Sequence, residues 1–179
     1  MKDQALAARC RGLRLVVTDV DGVLTDGTLL LLPDGGEAKA FHVRDGLAVV
    51  LAHRAGLQTA LLSGRSSDAV SRRARELGIG TVRQGVAHKG AAFAEVLTAL
   101  GLEPHQAAYM GDDVNDLPAM LQAGLSAAPA DAAFEVRAQA YMVTDARGGH
   151  GCFREFVEAI LRARGEWDSL MASIGAGTP

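Results

Sequence analysis

Thr18-Asp19-Val20-Asp21-Gly22-Val23-Leu24-Thr25 continues directly from the apolar run 13–18. A short continuous apolar run bounded by turn residues is typical of a strand buried on both faces of a parallel sheet. Residues 57–62, 107–110 and 124–127 form similar runs. Helical patterns lie between them at 46–55, 66–77, 89–100 and 115–122. Gly56, Gly78, Gly101 and Gly124 sit just past the helical stretches, where a residue with positive φ is favoured. This alternation predicts an α/β domain, three-layered and Rossmann-like, around a central parallel sheet. One segment breaks it. Residues 28–32 and 37–43 flank Pro33-Asp34-Gly35-Gly36, a turn sequence that predicts a β-hairpin flap over about 28–43.

The 179 residues suit one domain, 1–179, with a core large enough to need no disulfide or metal staple. Apolar residues make up 49% and charged ones 22%, as in soluble globular proteins. A net charge of −3 argues against nucleic acid or an anionic membrane as partner. The two cysteines, Cys10 and Cys152, lack metal-ligand spacing and read as reduced thiols. No apolar run approaches the roughly 18 residues of a membrane span, and 1–12 does not resemble a signal peptide. The expectation is a cytoplasmic protein. The tail, about 165–179, ends in Gly175-Ala176-Gly177-Thr178-Pro179 and is expected to be mobile at its tip.

Four signals carry chemistry. Asp19 and Asp21 stand two residues apart on extended backbone just beyond a strand, so both point to one place. In open parallel sheets ligands bind beyond the carboxyl ends of the strands. Two such carboxylates suit phosphoryl transfer, one as nucleophile and the other as acid and base. An acidic turn, or an Asp-x-Asp metal clamp of another enzyme class, would read the same. Tyr109-Met110-Gly111-Asp112-Asp113-Val114-Asn115-Asp116 places three acids after another strand. They would repel unless a hard cation such as Mg²⁺ sits among them, although acids also cap helices. At a third strand end, the Ser63 hydroxyl and the Gly64 N–H could hold phosphate oxygens beside a helix start, in the stretch Ser63-Gly64-Arg65. Lys89, opening a helix, could neutralise charge on a phosphoryl group. Each of these last two, taken singly, also fits a plain turn or a solvated lysine.

Their order is the specific feature: strand–Asp-x-Asp-Gly, strand–Ser, Lys, then strand–Gly-Asp-Asp-x-Asn-Asp. It resembles the motif order of the haloacid dehalogenase (HAD) superfamily. Over about 13–164 the chain resembles the family of 3-deoxy-D-manno-octulosonate 8-phosphate (KDO 8-phosphate) phosphatases. That likeness rests on 19–27, Phe41-His42-Val43-Arg44-Asp45-Gly46, Ser63-Gly64-Arg65, 109–116, Pro118, and Gly148-Gly149-His150-Gly151 followed by Arg154-Glu155. Ser63 replaces the Thr of many relatives but keeps the hydroxyl, and Ala87-His88 precede Lys89 where a more polar residue is expected.

The resemblance implies a Mg²⁺-dependent phosphoric monoester hydrolase acting on a small sugar-acid phosphate in lipopolysaccharide precursor synthesis. Asp19 would be the nucleophile and Asp21 the general acid and base. Mg²⁺ would be held by the Asp19 carboxylate, the Asp21 backbone carbonyl and Asp112. Ser63, Gly64 and Lys89 would bind the phosphoryl group, with Asp113 and Asp116 in support. Arg65 and Arg73, as planar donor pairs, are candidates for the substrate carboxylate. KDN 9-phosphate is an alternative substrate. A phospho-accepting signalling domain and a non-catalytic interaction module are more remote readings. Between Asp21 and Ser63 there is room only for the hairpin, a helix and a strand, which predicts no cap domain. The hairpin's Leu29-Leu30-Leu31-Leu32 is apolar on both faces, so one face needs a partner. A homo-oligomer is expected, and the resemblance implies a homotetramer.

Overall fold

A computed structural model describes residues 2–175. In chain order the elements are α1 (Lys2–Cys10), β1 (Leu15–Thr18), β2 (Leu30–Leu31), β3 (Glu37–Ala38), α2 (Val43–Arg54) and β4 (Gln58–Leu62). These are followed by α3 (Asp68–Glu76), β5 (Thr81–Arg83), α4 (Lys89–Leu100), β6 (Ala107–Met110), α5 (Leu117–Met120) and β7 (Leu125–Ala128). The last are α6 (Phe134–Gln139), β8 (Met142–Val143), α7 (Cys152–Ala163) and α8 (Trp167–Gly175). Six strands form one sheet in the order β5-β4-β1-β6-β7-β8, parallel at every pairing. The three-layer α/β architecture expected from the alternation is the one observed.

All four residues of β1 are buried, which is why Leu15-Val16-Val17 run on without a polar alternation and Thr18 closes the strand. Val16 faces a core shared with α2, α3, α7 and α8. Leu15 and Val17 face the opposite core, built on Phe93, Val96 and Leu97 of α4 and on Val136 of α6. The chain leaves β1 toward β4 and β5, then returns through α4 to pair β6 on the other side of β1. The connections therefore reverse direction at the carboxyl end of β1, where a crevice opens in such sheets.

Between β1 and β4 the chain forms only the hairpin β2–β3 and α2. The hairpin is shorter than 28–43 suggests, with two paired positions, Leu30 opposite Ala38 and Leu31 opposite Glu37. An isolated two-stranded ribbon is marginal in water, and this one lies outside the main sheet. Residues 39–42 are neither strand nor helix, and Val43 already belongs to α2. The helix starts three residues before the expected 46 because His42 caps it, its Nδ1 accepting from the Arg44 N–H at 3.3 Å. Gly101 closes α4 in the left-handed conformation as expected. Gly124 does not have positive φ. It is required for space, since a Cβ there would lie 2.5 Å from the His105 carbonyl oxygen. The predicted helix 115–122 is instead a 3₁₀ turn, Val114–Asp116, running into the short α5. The tail expected after 165 begins with a helix, α8, and its tip at 176–179 lies outside the described residues.

Candidate active site

The Asp19 N–H donates to the Met110 carbonyl at 2.9 Å, extending the β1–β6 ladder one residue beyond β1. That bond sets Asp19 beside the Gly111-Asp112 segment. The chain then turns tightly: the Leu24 and Thr25 N–H groups both donate to the Val20 carbonyl, at 2.9 and 3.0 Å. Gly22 crosses directly over Asp112 with φ of 92°, and a Cβ there would lie 2.0 Å from Asp112 Oδ2. The glycine of Asp-x-Asp-Gly is thus needed twice, for its backbone angle and for room.

Lys89, the first residue of α4, is buried and joins two acids. Its Nζ lies 2.8 Å from Asp19 Oδ2 and 2.6 Å from Asp116 Oδ1. Asp116 is fully buried and bonded on both oxygens. Oδ1 also accepts from the Tyr109 hydroxyl at 2.7 Å, while Oδ2 accepts from the Asp112 and Asp113 N–H groups at 3.2 and 3.4 Å. Asp116 therefore fixes Lys89 and the backbone beneath Asp112. Asp113 is exposed and caps the 3₁₀ turn through the Val114 N–H at 2.7 Å. Ser63 follows β4 directly and is buried, with its hydroxyl accepting from the Arg65 N–H at 3.2 Å; Gly64 beside it is exposed.

Carboxylate oxygens of Asp19, Asp112 and Asp116 lie within 4.8 Å of one another. Asp116 already satisfies both of its oxygens, so it is a poor ligand. Asp19 Oδ1 and Asp112 Oδ1, in contrast, are buried without a hydrogen-bond partner. Two unpartnered buried carboxylate oxygens facing one crevice suit a hard divalent cation that keeps several waters, as Mg²⁺ does. The electrostatics agree. Burial, then the Asp116 and Lys89 charges in opposition, leaves Asp19 raised to about 6. Burial, then the Asp19 and Asp116 carboxylates, pushes Asp112 up to about 8. Burial opposes the charge on Lys89, but Asp19 and Asp116 outweigh it and raise its pKa.

A testable consequence concerns stability. A carboxyl group whose folded pKa lies above its unfolded value binds protons better when folded. Its contribution is therefore present at low pH and lost as pH rises, here from about 4 to about 8 through Asp112. Without metal, this cluster should lower the unfolding midpoint progressively across that window. Saturating Mg²⁺ should remove the decline and add about 2.7 kcal/mol at a hundredfold excess over its dissociation constant. Thermal scans with Mg²⁺ and with EDTA, from pH 5 to 8.5, measure this directly; parallel curves would exclude a cation at the cluster.

Two residues of the site carried no sequence signal. Lys39, just beyond β3, buries its side chain and pairs with Asp21 Oδ1. Its Nζ also lies 3.3 Å from Glu37 Oε1, and Glu37 Oε2 accepts from Arg65 at 2.8 Å. The Arg65 hydrogen bond holds Glu37 down at about 2. Arg65 is thus tied to Asp21 through Glu37 and Lys39. The other missed residue is Tyr109, which reads as an apolar strand position yet donates to Asp116. Arg73 lies on α3, 3.4 Å from Glu76 and packed against Gly46 of α2, where a Cβ would meet its guanidinium at 2.2 Å. The Gly148–Gly151 turn lies against Gly22 and Asp26. Cys10 and Cys152 are free and buried. Among the described residues no helix is long and apolar enough to cross a membrane.

Residues 30–124 match the haloacid dehalogenase-like hydrolase family. The chain is 42% identical over 158 residues to 3-deoxy-D-manno-octulosonate 8-phosphate phosphatase of Haemophilus influenzae, covering 88% of each chain. It is 40% identical over 161 residues to the enzyme of that name from Escherichia coli K12, covering 90% of this chain and 86% of the other. A crystal structure of the Moraxella catarrhalis phosphatase in complex with magnesium, phosphate and KDO superposes with a TM-score of 0.92 at 37% identity, covering 94% of this chain and 97% of that one. The cobalt-bound form of the Haemophilus influenzae phosphatase gives a TM-score of 0.85 at 42% identity, covering 88% and 92%. The chain belongs to the haloacid dehalogenase-like hydrolases and, among them, to the family of the 3-deoxy-D-manno-octulosonate 8-phosphate phosphatases.

Proposed function

We propose that this protein hydrolyses KDO 8-phosphate to KDO and inorganic phosphate through an aspartyl-phosphate on Asp19. The observation that carries the reading is Asp19 itself. It is buried at the end of β1, with one oxygen held by Lys89 and the other unpartnered opposite Asp112. The Asp19 oxygen beside Lys89 attacks phosphorus, and the bond from phosphorus to the sugar oxygen breaks. Asp21 gives its proton to that leaving oxygen. Lys39 and Thr25 contact only Asp21 Oδ1, leaving Oδ2 to face the leaving group. Asp21 then takes a proton from water, whose oxygen attacks the phosphoryl group and frees Asp19. Ser63, the Gly64 N–H and Lys89 hold the phosphoryl oxygens throughout. Asp19, Asp112 and the Asp21 carbonyl would hold Mg²⁺, supported by Asp113 and Asp116. When bound, the ion lets these carboxylates approach one another and neutralises charge on the phosphoryl oxygens. Arg65 and Arg73 are assigned to the substrate carboxylate.

We further read the protein as a cytoplasmic homotetramer that supplies KDO for lipopolysaccharide. Leu29, Leu30, Leu31 and Leu32 are 45%, 55%, 74% and 44% exposed, an apolar ribbon beside a site with no cap over it. Packing hairpins together would bury that ribbon and shield the phosphoryl chemistry from water.

Phosphate release from KDO 8-phosphate, with and without Mg²⁺, beside KDN 9-phosphate and an aryl phosphate, tests the assignment. Strong Mg²⁺-dependent preference for KDO 8-phosphate is expected. Preference for KDN 9-phosphate would keep the reaction and overturn the substrate. Sedimentation of the same sample should give a tetramer at micromolar concentration, and a fully active monomer would remove the assembly.

A further inference from the structure

The stretches Phe41–Gly46 and Gly148–Gly151 with Arg154-Glu155 hold no residue of the catalytic cluster, yet the fold brings them together behind it. A Cβ on Gly148 would lie 2.0 Å from the Gly22 carbonyl oxygen, and one on Gly149 would lie 2.5 Å from the Asp26 nitrogen. The Gly149 N–H donates to the Val23 carbonyl at 2.8 Å. Gly22 in turn rests on Asp112, where a Cβ would meet Oδ2 at 2.0 Å. Gly148, Gly22 and Asp112 are therefore stacked in that order, and neither contact has room for one more carbon. Asp112 Oδ1 has no hydrogen-bond partner, so the aim of that carboxylate depends on this packing.

The turn itself is fastened from several sides. The Gly148 N–H donates to Asp131 Oδ1 at 2.9 Å, and His150 Nδ1 lies 2.7 Å from the Gly148 carbonyl. The first turn of α7 follows at once. Glu155 reaches back from it and accepts from the Asp145 and Ala146 N–H groups, both at 2.9 Å. Asp45 of α2 is buried, and its Oδ1 accepts from the Arg154 N–H at 2.8 Å, capping α7 from a neighbouring helix. A buried carboxylate on a helix N-terminus is held by both the hydrogen bond and the helix dipole.

We propose that the Gly148–Gly151 turn is a clamp that sets the Asp19–Gly22 loop and the Asp112 carboxylate in metal-binding register, with Asp45 and Glu155 as positioning residues that fix it to the frame. Gly22 cannot recede from Asp112 while Gly148 lies behind it, and Gly148 cannot recede while α7 is pinned through Asp45 and Glu155. Groups that orient a metal ligand without touching the ion commonly change its affinity 10- to 100-fold. The clamp rests on the proposed function for the identity of the metal and of the reaction.

The test measures Mg²⁺ binding by calorimetry on the full-length protein without substrate, then kcat, KM and the unfolding midpoint. Gly148→Ala should weaken Mg²⁺ binding roughly 10- to 100-fold, lowering kcat while leaving the substrate KM unchanged at saturating metal. Asp45→Ala should move the same quantities in the same direction. Asp45→Asn keeps an acceptor oxygen for the Arg154 N–H and should restore them. Val157→Ala, in the buried middle of α7, should lower the unfolding midpoint and leave Mg²⁺ binding at the parent value. Folded Gly148→Ala and Asp45→Ala proteins that bind Mg²⁺ like the parent would overturn the clamp, as would an equal loss in Val157→Ala. If Gly148→Ala does not fold, the Asp45 pair and Glu155→Gln decide on the same readout. A parent protein that neither binds Mg²⁺ nor releases phosphate would instead sink the functional reading.

Discussion

Asp19→Asn lowers kcat by at least about 10⁴-fold, equivalent to about 5.5 kcal/mol of barrier, the order of loss seen when a covalent nucleophile is removed. The amide is nearly the same size and still fills the buried position at the end of β1, so the fold is retained. Stability without metal should hold or rise, because the substitution takes one negative charge from a cluster in which Asp112 is already pushed up to about 8. This separates a chemical defect from a folding defect. Single-turnover phosphate release and an unfolding curve, taken on one preparation, measure both. A variant that turns over within tenfold of the parent would remove Asp19 as nucleophile, and the aspartyl-phosphate with it.

Lys89→Met should cost about 3–5 kcal/mol of stability as well as the activity, because it strands a buried charge. The Lys89 side chain is 1% exposed and Asp116 is 0% exposed. With the lysine gone, the Asp116 carboxylate retains the Tyr109 hydroxyl and two backbone N–H groups but has no countercharge. Mg²⁺ should recover only part of the loss, since the cation neutralises Asp19 and Asp112 rather than Asp116. Urea unfolding with and without Mg²⁺ reads the difference. A double variant, Lys89→Met with Asp116→Asn, should regain much of the stability while remaining inactive. If the single variant is as stable as the parent, Lys89 and Asp116 are not the buried pair that the geometry describes. Asp19→Asn removes a negative charge from a crowded site, whereas Lys89→Met removes the cation that bridges Asp19 and Asp116.

Much of the fold was legible in the chain because the signals for it are local. The residues of β1, β6 and β7, and all of β4 but Gln58, are buried without alternation, as in a sheet covered on both faces. Lys89 was read as opening a helix, and α4 spans Lys89–Leu100 as expected. The start of α2 differs from the expected 46 because Val43 reads as the end of the hairpin's second strand, whereas it is the first residue of the helix. The His42 cap that decides the boundary is a side-chain geometry that composition does not announce. The short 3₁₀ turn at Val114–Asp116 was read as part of a helix for a related reason, since Asp113 and Asp116 are themselves the capping groups.

The candidate site divides along the same line. Asp19, Asp21, Ser63, Lys89 and Asp112 could be picked out because each sits at a fixed offset from a strand or helix end, and parallel topology sends those ends to one edge. Which acid takes which partner was beyond the sequence. Asp113 and Asp116 look alike in the chain, yet one is exposed and caps a turn while the other is wholly buried beneath Lys89. Lys39 reads as an ordinary charge on a hairpin, and only the folding of that hairpin over β1 brings it to Asp21. The Gly148 turn lies more than a hundred residues from Gly22, and their contact is backbone on backbone. Propensity and periodicity act over a few residues, so the layers, the strand ends and the residue types of the candidate site are local properties of the chain. The pairing of the buried charges and the stacking of Gly148, Gly22 and Asp112 arise only when distant segments fold together. Those depend on desolvation and on excluded volume between segments that are neighbours in space and not in the chain.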